Sequence, residues 1–159
     1  MNLEELGRKI QFLEDLEAIK RLKHQYCAYC DNQYDADGIA DLFVDSGVWD
    51  GGPFGRCIGR EAIREFFRGA SKTLTLAAHN VMNPIIDIAG DRATGKWKLV
   101  QPCTQETKEG PRAMWLMANY HDDYIRTEAG WKFQSLRVDI LFFSPHQSGW
   151  IGSRKEKAE

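Results

Sequence analysis

Apolar residues at Leu3, Leu6, Ile10, Leu13, Leu16, Ile19, Leu22, Tyr26 and Tyr29 recur in steps of three and four, the spacing that lines one face of an α-helix. No proline occurs before Pro53, so the pattern predicts one long helix, or two abutting helices, running to about Asn32. A short helix fits Asp37–Phe43, and Gly47–Asp50 reads as a short strand closed by Gly51-Gly52-Pro53. Another helix fits Arg60–Gly69, with Ile63, Phe66 and Phe67 inward and Arg60, Glu61, Arg64 and Glu65 outward.

Beyond Thr73 the texture turns strand-like. Leu74–Ile88, Ala93–Thr107, Ala113–Arg126 and Trp131–Phe143 are separated by Ala-Gly-Asp, Lys-Glu-Gly-Pro and Glu-Ala-Gly, which suit hairpin loops. Helices first and long consecutive strands after them predict an α+β layout, with the helices on one face of a mainly antiparallel sheet. In Trp131–Phe143, strict alternation puts Arg137 and Asp139 on one face with Trp131 and Phe133, leaving Leu136, Val138, Ile140 and Phe142 on the other. Ala113–Ala118, which contains Trp115, is apolar on both faces and is expected to be covered on both, by a pocket or a subunit interface.

The length of 159 residues suits one domain with its own core. We place that domain at residues 1–152 and a frayed, charged tail at 153–159. Lys+Arg 21 against Asp+Glu 23 gives a net charge of −2 with both signs scattered, which argues against a nucleic-acid partner. The acidic N-terminus lacks the features of a secretory signal, and no apolar run is long enough for a membrane span. The four cysteines, Cys27, Cys30, Cys57 and Cys103, then read as free thiols in a cytoplasmic protein.

Two motifs invite metal readings. Cys27-Ala28-Tyr29-Cys30 is a C-x-x-C preceded by His24, yet a zinc site calls for a second ligand pair that the chain lacks. The segment from Asp31 to Gly38 resembles a calcium loop, but registering Gly38 at the glycine position puts Gln33 and Val44 where carboxylates belong. We expect no metal site. Asp31 closes the helical stretch behind Tyr26, Tyr29 and Cys30, and is either a solvated helix end or a buried acid with a partner; composition alone favours the first. His79 lies in the weakly charged stretch Thr75–Val81, where a histidine is usually a satisfied core residue.

Asp15–Lys23 followed by Tyr26 and Asp31, then Leu42-Phe43, Trp49 and Gly59–Ile63, form one series along the chain. His79 with Asn83-Pro84, Gly90–Trp97 and Gly130–Phe133 continue it. These residues carry a resemblance to the SnoaL-like group of the nuclear-transport-factor-2-like superfamily. It implies a cystatin-like, cone-shaped α+β barrel, with N-terminal helices packed on a curved sheet. The dehydratase and dehydrochlorinase members, those acting on bile acids, hexachlorocyclohexane and scytalone, imply an elimination without metal or organic cofactor. By position, the family's Asp–His dyad falls on Asp31 and His79, and an active-site Tyr falls on Tyr26, with a packed core aromatic as the alternative for that residue.

The resemblance thus implies a lyase, a dehydratase or dehydrohalogenase, in which His79 oriented by Asp31 abstracts a proton. The apolar strands and tryptophans, Trp49 and Trp115 among them, point to a hydrophobic ring substrate. Gln101, Asn119 and Arg137 are polar candidates for orienting it. Gln101 stands where a family acid is expected. Arg137 meets the family's supporting arginine only with a register shift, and an ion pair with Asp139 is its other reading. A cofactor-free isomerase of the ketosteroid-isomerase type, or a non-catalytic binding or assembly module, shares the fold. The family also implies a homo-oligomer, a trimer or a dimer.

Overall fold

The computed structural model describes residues 2–151, so the tail expected at 153–159 lies outside the described residues. Its elements run α1 (Leu3–Asp31), α2 (Ala36–Asp41), β1 (Phe43–Asp50), a 3-10 turn at Gly52–Phe54, β2 (Arg56–Ile58) and α3 (Arg60–Ala70). There follow β3 (Leu74–Ala77), β4 (Asn80–Ala89), β5 (Arg92–Gln105), β6 (Arg112–Thr127) and β7 (Gly130–Pro145). Seven strands form one sheet in the order β2-β1-β7-β6-β5-β3, with β4 also paired to β5. Neighbours are antiparallel except β1 and β7, which run parallel. The sheet curls, and the three helices close its concave side.

Helix α1 starts with a capping box: the Asn2 side chain accepts from the Glu5 N–H at 2.8 Å, and the Glu5 carboxylate accepts from the Asn2 N–H at 3.1 Å. Its predicted stripe divides into two parts. Ile19, Leu22 and Tyr26 are buried against the sheet, joined there by Cys27 and Cys30 from beside the stripe, whereas Leu3, Leu6, Ile10 and Leu13 are exposed. The boundary is Asp15, the first buried residue of the helix. There Arg126 clamps the carboxylate with two hydrogen bonds of 2.6 Å, and the Trp131 indole N–H donates to it at 3.0 Å. The β6–β7 hairpin ends at this point, so the preceding helical turns overhang the sheet.

Alternation supplies the inner wall. In β5 the buried residues are Ala93, Gly95, Trp97, Leu99, Gln101 and Cys103, each second position. They face Leu116, Ala118, Tyr120 and Tyr124 of β6. The last strand departs from strict alternation. Its pairing with β6 shifts between Asp123 and Tyr124, an extra residue that reverses which parity points inward. Trp131 and Phe133 are buried before the bulge, and Leu136 and Val138 after it. Arg137 therefore faces out, correcting the expectation that it shares a face with Trp131 and Phe133.

A charged pair lies within the core. Lys23 of α1 and Asp122 of β6 meet at 2.9 Å with both side chains 0 % exposed. The Lys23 ammonium also lies 3.3 Å from the Tyr120 ring centroid, and Tyr124 donates its hydroxyl proton to Asp122 at 2.8 Å. Burial pushes the Asp122 carboxyl upward, against the pull of Lys23. Among the described residues, no helix is long and apolar enough to cross a membrane.

Candidate active site

A cavity of about 270 Å³ opens between the helices and the concave sheet face. Its walls are mostly aromatic and aliphatic: Trp49 from β1, Phe66 and Phe67 from α3, Leu99 from β5, Leu116 and Tyr120 from β6, and Val138 from β7. The polar groups reaching it include His79, Tyr34, Tyr26 and Gln101. A largely apolar wall with a few convergent polar groups is the usual make-up of a small-molecule site.

His79 owes its position to a gap in the ladder. The sequence predicts one segment over Leu74–Ile88, but β3 ends at Ala77 and β4 begins at Asn80, both pairing with β5. Opposite the gap stands Pro102, which accepts from the Ala78 N–H at 3.1 Å and has no N–H to return. The backbone N–H of His79 donates to Asp31, at 2.9 Å to Oδ1 and 3.2 Å to Oδ2, while the Ala78 carbonyl that Pro102 leaves without a donor accepts from Asn80 Nδ2 at 3.1 Å. His79 Nδ1 lies 2.7 Å from the same Oδ1. The Asp31 side chain is 37 % exposed and that of His79 6 %, so the carboxylate meets water while the imidazole is enclosed. With Nδ1 held as a donor, Nε2 is the nitrogen left to take a proton.

The chain after α1 adds a residue that pattern reading passed over. Gln33 and Tyr34 have φ of 54° and 56°, left-handed values uncommon for residues other than glycine. The Tyr34 N–H bonds the Cys30 carbonyl at 3.1 Å, and the Asp35 N–H bonds that of Tyr29 at 3.0 Å, ending the helix. This turn sends Tyr34 back over the cavity, where its ring stacks on Phe67 at 5.9 Å and meets His79 edge-on at 6.1 Å. Burial drives the Tyr34 hydroxyl above its ordinary range, and a hydrogen bond from Gln101 pulls the other way. No glycine marks this turn, so the sequence carried no signal for it.

The other expected site residues divide between the two faces of the sheet. Trp49, Tyr26 and Gln101 line the cavity. The Tyr26 hydroxyl accepts from the Trp49 indole N–H at 2.9 Å. The other three lie on the outer face, which corrects their expected contact with a ligand. Trp115 alternates with Leu116 and donates to His146 Nδ1 at 2.9 Å. Asn119 alternates with Tyr120 and accepts from Lys98 Nζ at 2.7 Å. Arg137 is exposed, carried out by the bulge. Cys27 and Cys30 are buried free thiols, and no group of three metal-ligating side chains gathers among the described residues.

A curled sheet closed by helices around an apolar cavity defines a cystatin-like α+β fold. The SnoaL-like domain model matches residues 11–137, and the chain belongs to that family. No curated protein sequence matches it. Among solved structures, it is similar to a protein of Novosphingobium aromaticivorans provisionally assigned as an aromatic ring hydroxylase. The two share 27 % identity over 89 % of this chain and 98 % of that one, with a TM-score of 0.75. A provisionally assigned scytalone dehydratase from the same organism shares 19 % identity over 87 % and 91 %, with a TM-score of 0.77. A type 2 hexachlorocyclohexane dehydrochlorinase shares 19 % over 86 % and 92 %, with a TM-score of 0.79.

Proposed function

We propose that this chain is a cofactor-independent lyase, a dehydratase or dehydrohalogenase acting on a small hydrophobic ring compound. The observation that carries the reading is the 2.7 Å contact between Asp31 Oδ1 and His79 Nδ1, set at the wall of an apolar cavity. Asp31 holds the imidazole in the tautomer whose Nε2 is basic, and stabilises the imidazolium once a proton has been taken. The substrate C–H bond breaks toward His79 Nε2, its electron pair forms the new double bond, and the leaving group departs with its own pair. When hydroxide leaves, the imidazolium returns the proton and water is released. The cavity of about 270 Å³ favours one or two rings over a four-ring steroid.

The SnoaL-like family and the dehydratase and dehydrochlorinase among its structural neighbours support this reading. An isomerase would use the same base, returning the proton to another carbon without loss of mass. A non-catalytic module would have no need of an imidazole oriented by a carboxylate beside an apolar cavity. We also expect a homo-oligomer, a dimer or trimer, covering the exposed Leu3–Leu13 stripe or the outer sheet face around Trp115.

The test is a panel of β-hydroxy ketones and halogenated rings, assayed by mass spectrometry for loss of water or hydrogen halide. On any substrate turned over, His79→Ala is expected to lower kcat about 10²- to 10⁴-fold. Asp31→Asn should also be impaired. Full activity in His79→Ala would remove His79 as the base, and product of unchanged mass would replace the lyase by an isomerase.

A further inference from the structure

Helix α1 carries two apolar faces, one on each side of Asp15. The residues buried after that point, Ile19, Leu22, Lys23, Tyr26, Cys27 and Cys30, share the side that meets the sheet. Before it, Leu3, Leu6, Ile10 and Leu13 are 87, 40, 48 and 61 % exposed. At about 100° of rotation per residue, the mean direction of these four lies about 150° from that of the buried set. The first stripe therefore points away from its own domain, whose core cannot cover it. These turns are nonetheless well-formed helix, started by the capping box of Asn2 and Glu5 and held by the buried half of α1.

The spacing of the stripe is that of a coiled-coil seam over two heptads, with Leu3 and Ile10 at a and Leu6 and Leu13 at d. A β-branched residue at a with leucine at d favours two parallel strands. The flanks agree. Lys9 falls at g and Glu14 at the following e, the positions that form ion pairs between parallel helices. An antiparallel pair would instead set the two Lys9 ammonium groups on the same flank. Gly7, at the other e position, presents no side chain to an approaching helix, and a Cβ there would meet open space. The seam ends at Leu13, because the next a position is the exposed Glu17.

We propose that the exposed turns of α1, Leu3–Leu13, pair with the same segment of a second copy as a short parallel coiled coil. This rests on the homo-oligomer expected above, names its interface, and is independent of the lyase reading. Each domain lies on the far side of its helix from the seam, so the two domains stand on opposite sides of the pair without collision. Each helix is already formed within its domain, and pairing therefore carries no nucleation cost. The seam is only about 15 Å long at 1.5 Å per residue, a small interface that makes the dimer reversible. Glu4, Glu5, Glu14 and Glu17 outnumber Arg8 and Lys9 around the stripe, which disfavours an anionic membrane as its occupant. Asp31 closes the opposite end of α1, so the paired segment stands clear of the cavity.

The test is sedimentation equilibrium of the full chain from micromolar to sub-millimolar concentration, where the wild-type protein is expected to pass from monomer to dimer. Ile10→Asp should raise the dissociation constant about 30-fold or more. Lys9→Glu and Glu14→Lys should each raise it about tenfold. An equimolar mixture of those two variants should regain wild-type affinity, because their charges complement each other across the pair. Leu3→Cys, in a Cys57→Ser background, should form a disulfide-linked dimer under mild oxidation, since two a residues meet directly only in a parallel pair. Circular dichroism checks that each variant keeps its fold. A wild-type protein that stays monomeric throughout overturns the inference together with the expected homo-oligomer. An assembly unmoved by Ile10→Asp and by both charge changes overturns this interface alone, and leaves the outer sheet face around Trp115. Wild-type binding to phosphatidylserine vesicles that Ile10→Asp abolishes would overturn it in favour of a membrane surface.

Discussion

Removing the Asp122 carboxylate is expected to be among the costliest single changes in this protein. In Asp122→Asn the Lys23 ammonium keeps the face of Tyr120, 3.3 Å from the ring centroid, but loses its counter-charge at 2.9 Å in a site where both side chains are 0 % exposed. Breaking such a pair from one side typically costs 3–5 kcal/mol. The retained cation–π contact, worth about 2 kcal/mol when desolvated, and the amide oxygen place this case at the lower end, about 3 kcal/mol. Lys23→Met should cost a similar amount, stranding a carboxylate that keeps only the Tyr124 hydroxyl. The double variant Lys23→Met/Asp122→Leu strands neither charge and should lie within about 1 kcal/mol of wild type. Urea unfolding of the four proteins forms a double-mutant cycle, and the single variants should melt about 6–12 °C lower. Single variants costing under about 1 kcal/mol, or a double variant as unstable as the sum of the singles, would refute the pairing argument.

Two further outcomes follow from ionisable groups. The Arg126 guanidinium and the Trp131 N–H hold the Asp15 carboxyl down at about 2, below its value of about 4 in an unfolded chain. Its stabilising contribution is therefore complete above about pH 4 and is lost as pH falls through about 2. Screening at Arg126, whose side chain is 32 % exposed, trims the amount to about 1–2 kcal/mol. Asp15→Asn should flatten this acid limb, and an unchanged limb in urea titrations between about pH 4 and 2 would sink the assignment. Burial lifts the Cys27 thiol to about 12, Cys103 to about 11 and Cys30 well above the usual range, whereas Cys57 lies nearer the surface. An aromatic disulfide reagent at about pH 8 should thus modify Cys57 first and the others only in denaturant; rapid native modification of more than one thiol would contradict this.

The long helix, α3 and the four hairpin-linked segments were legible because their periodicities of three-to-four and two are set by burial on one face. What stayed hidden depended on single residues that break a period. The β7 bulge adds no unusual residue to the sequence, yet it decides that Arg137 meets water. Pro102 was visible, but that it stands opposite the break between β3 and β4 requires the register. Asp31 and His79 are 48 positions apart, and only the family resemblance joined them beforehand. Trp115 and Asn119 lie in a strand apolar on both faces, so alternation could not say which face holds the cavity. Tyr34 depends on two consecutive left-handed residues without glycine, a conformation imposed by packing against Phe67 and His79.

Asp31 has a second consequence through the strand it holds. Its carboxylate takes the backbone N–H of His79 as well as the ring, and so fastens the end of α1 to the break between β3 and β4. Residues placed for chemistry commonly cost a fold some stability, and replacing them often makes a protein more robust. Here the same oxygen serves the imidazole and ties a helix end to the sheet. Chain variants drifting away from catalysis at this position would gain no robustness in return. Selection for a stable fold alone would tend to keep the acid in place, and with it the tautomer of the histidine.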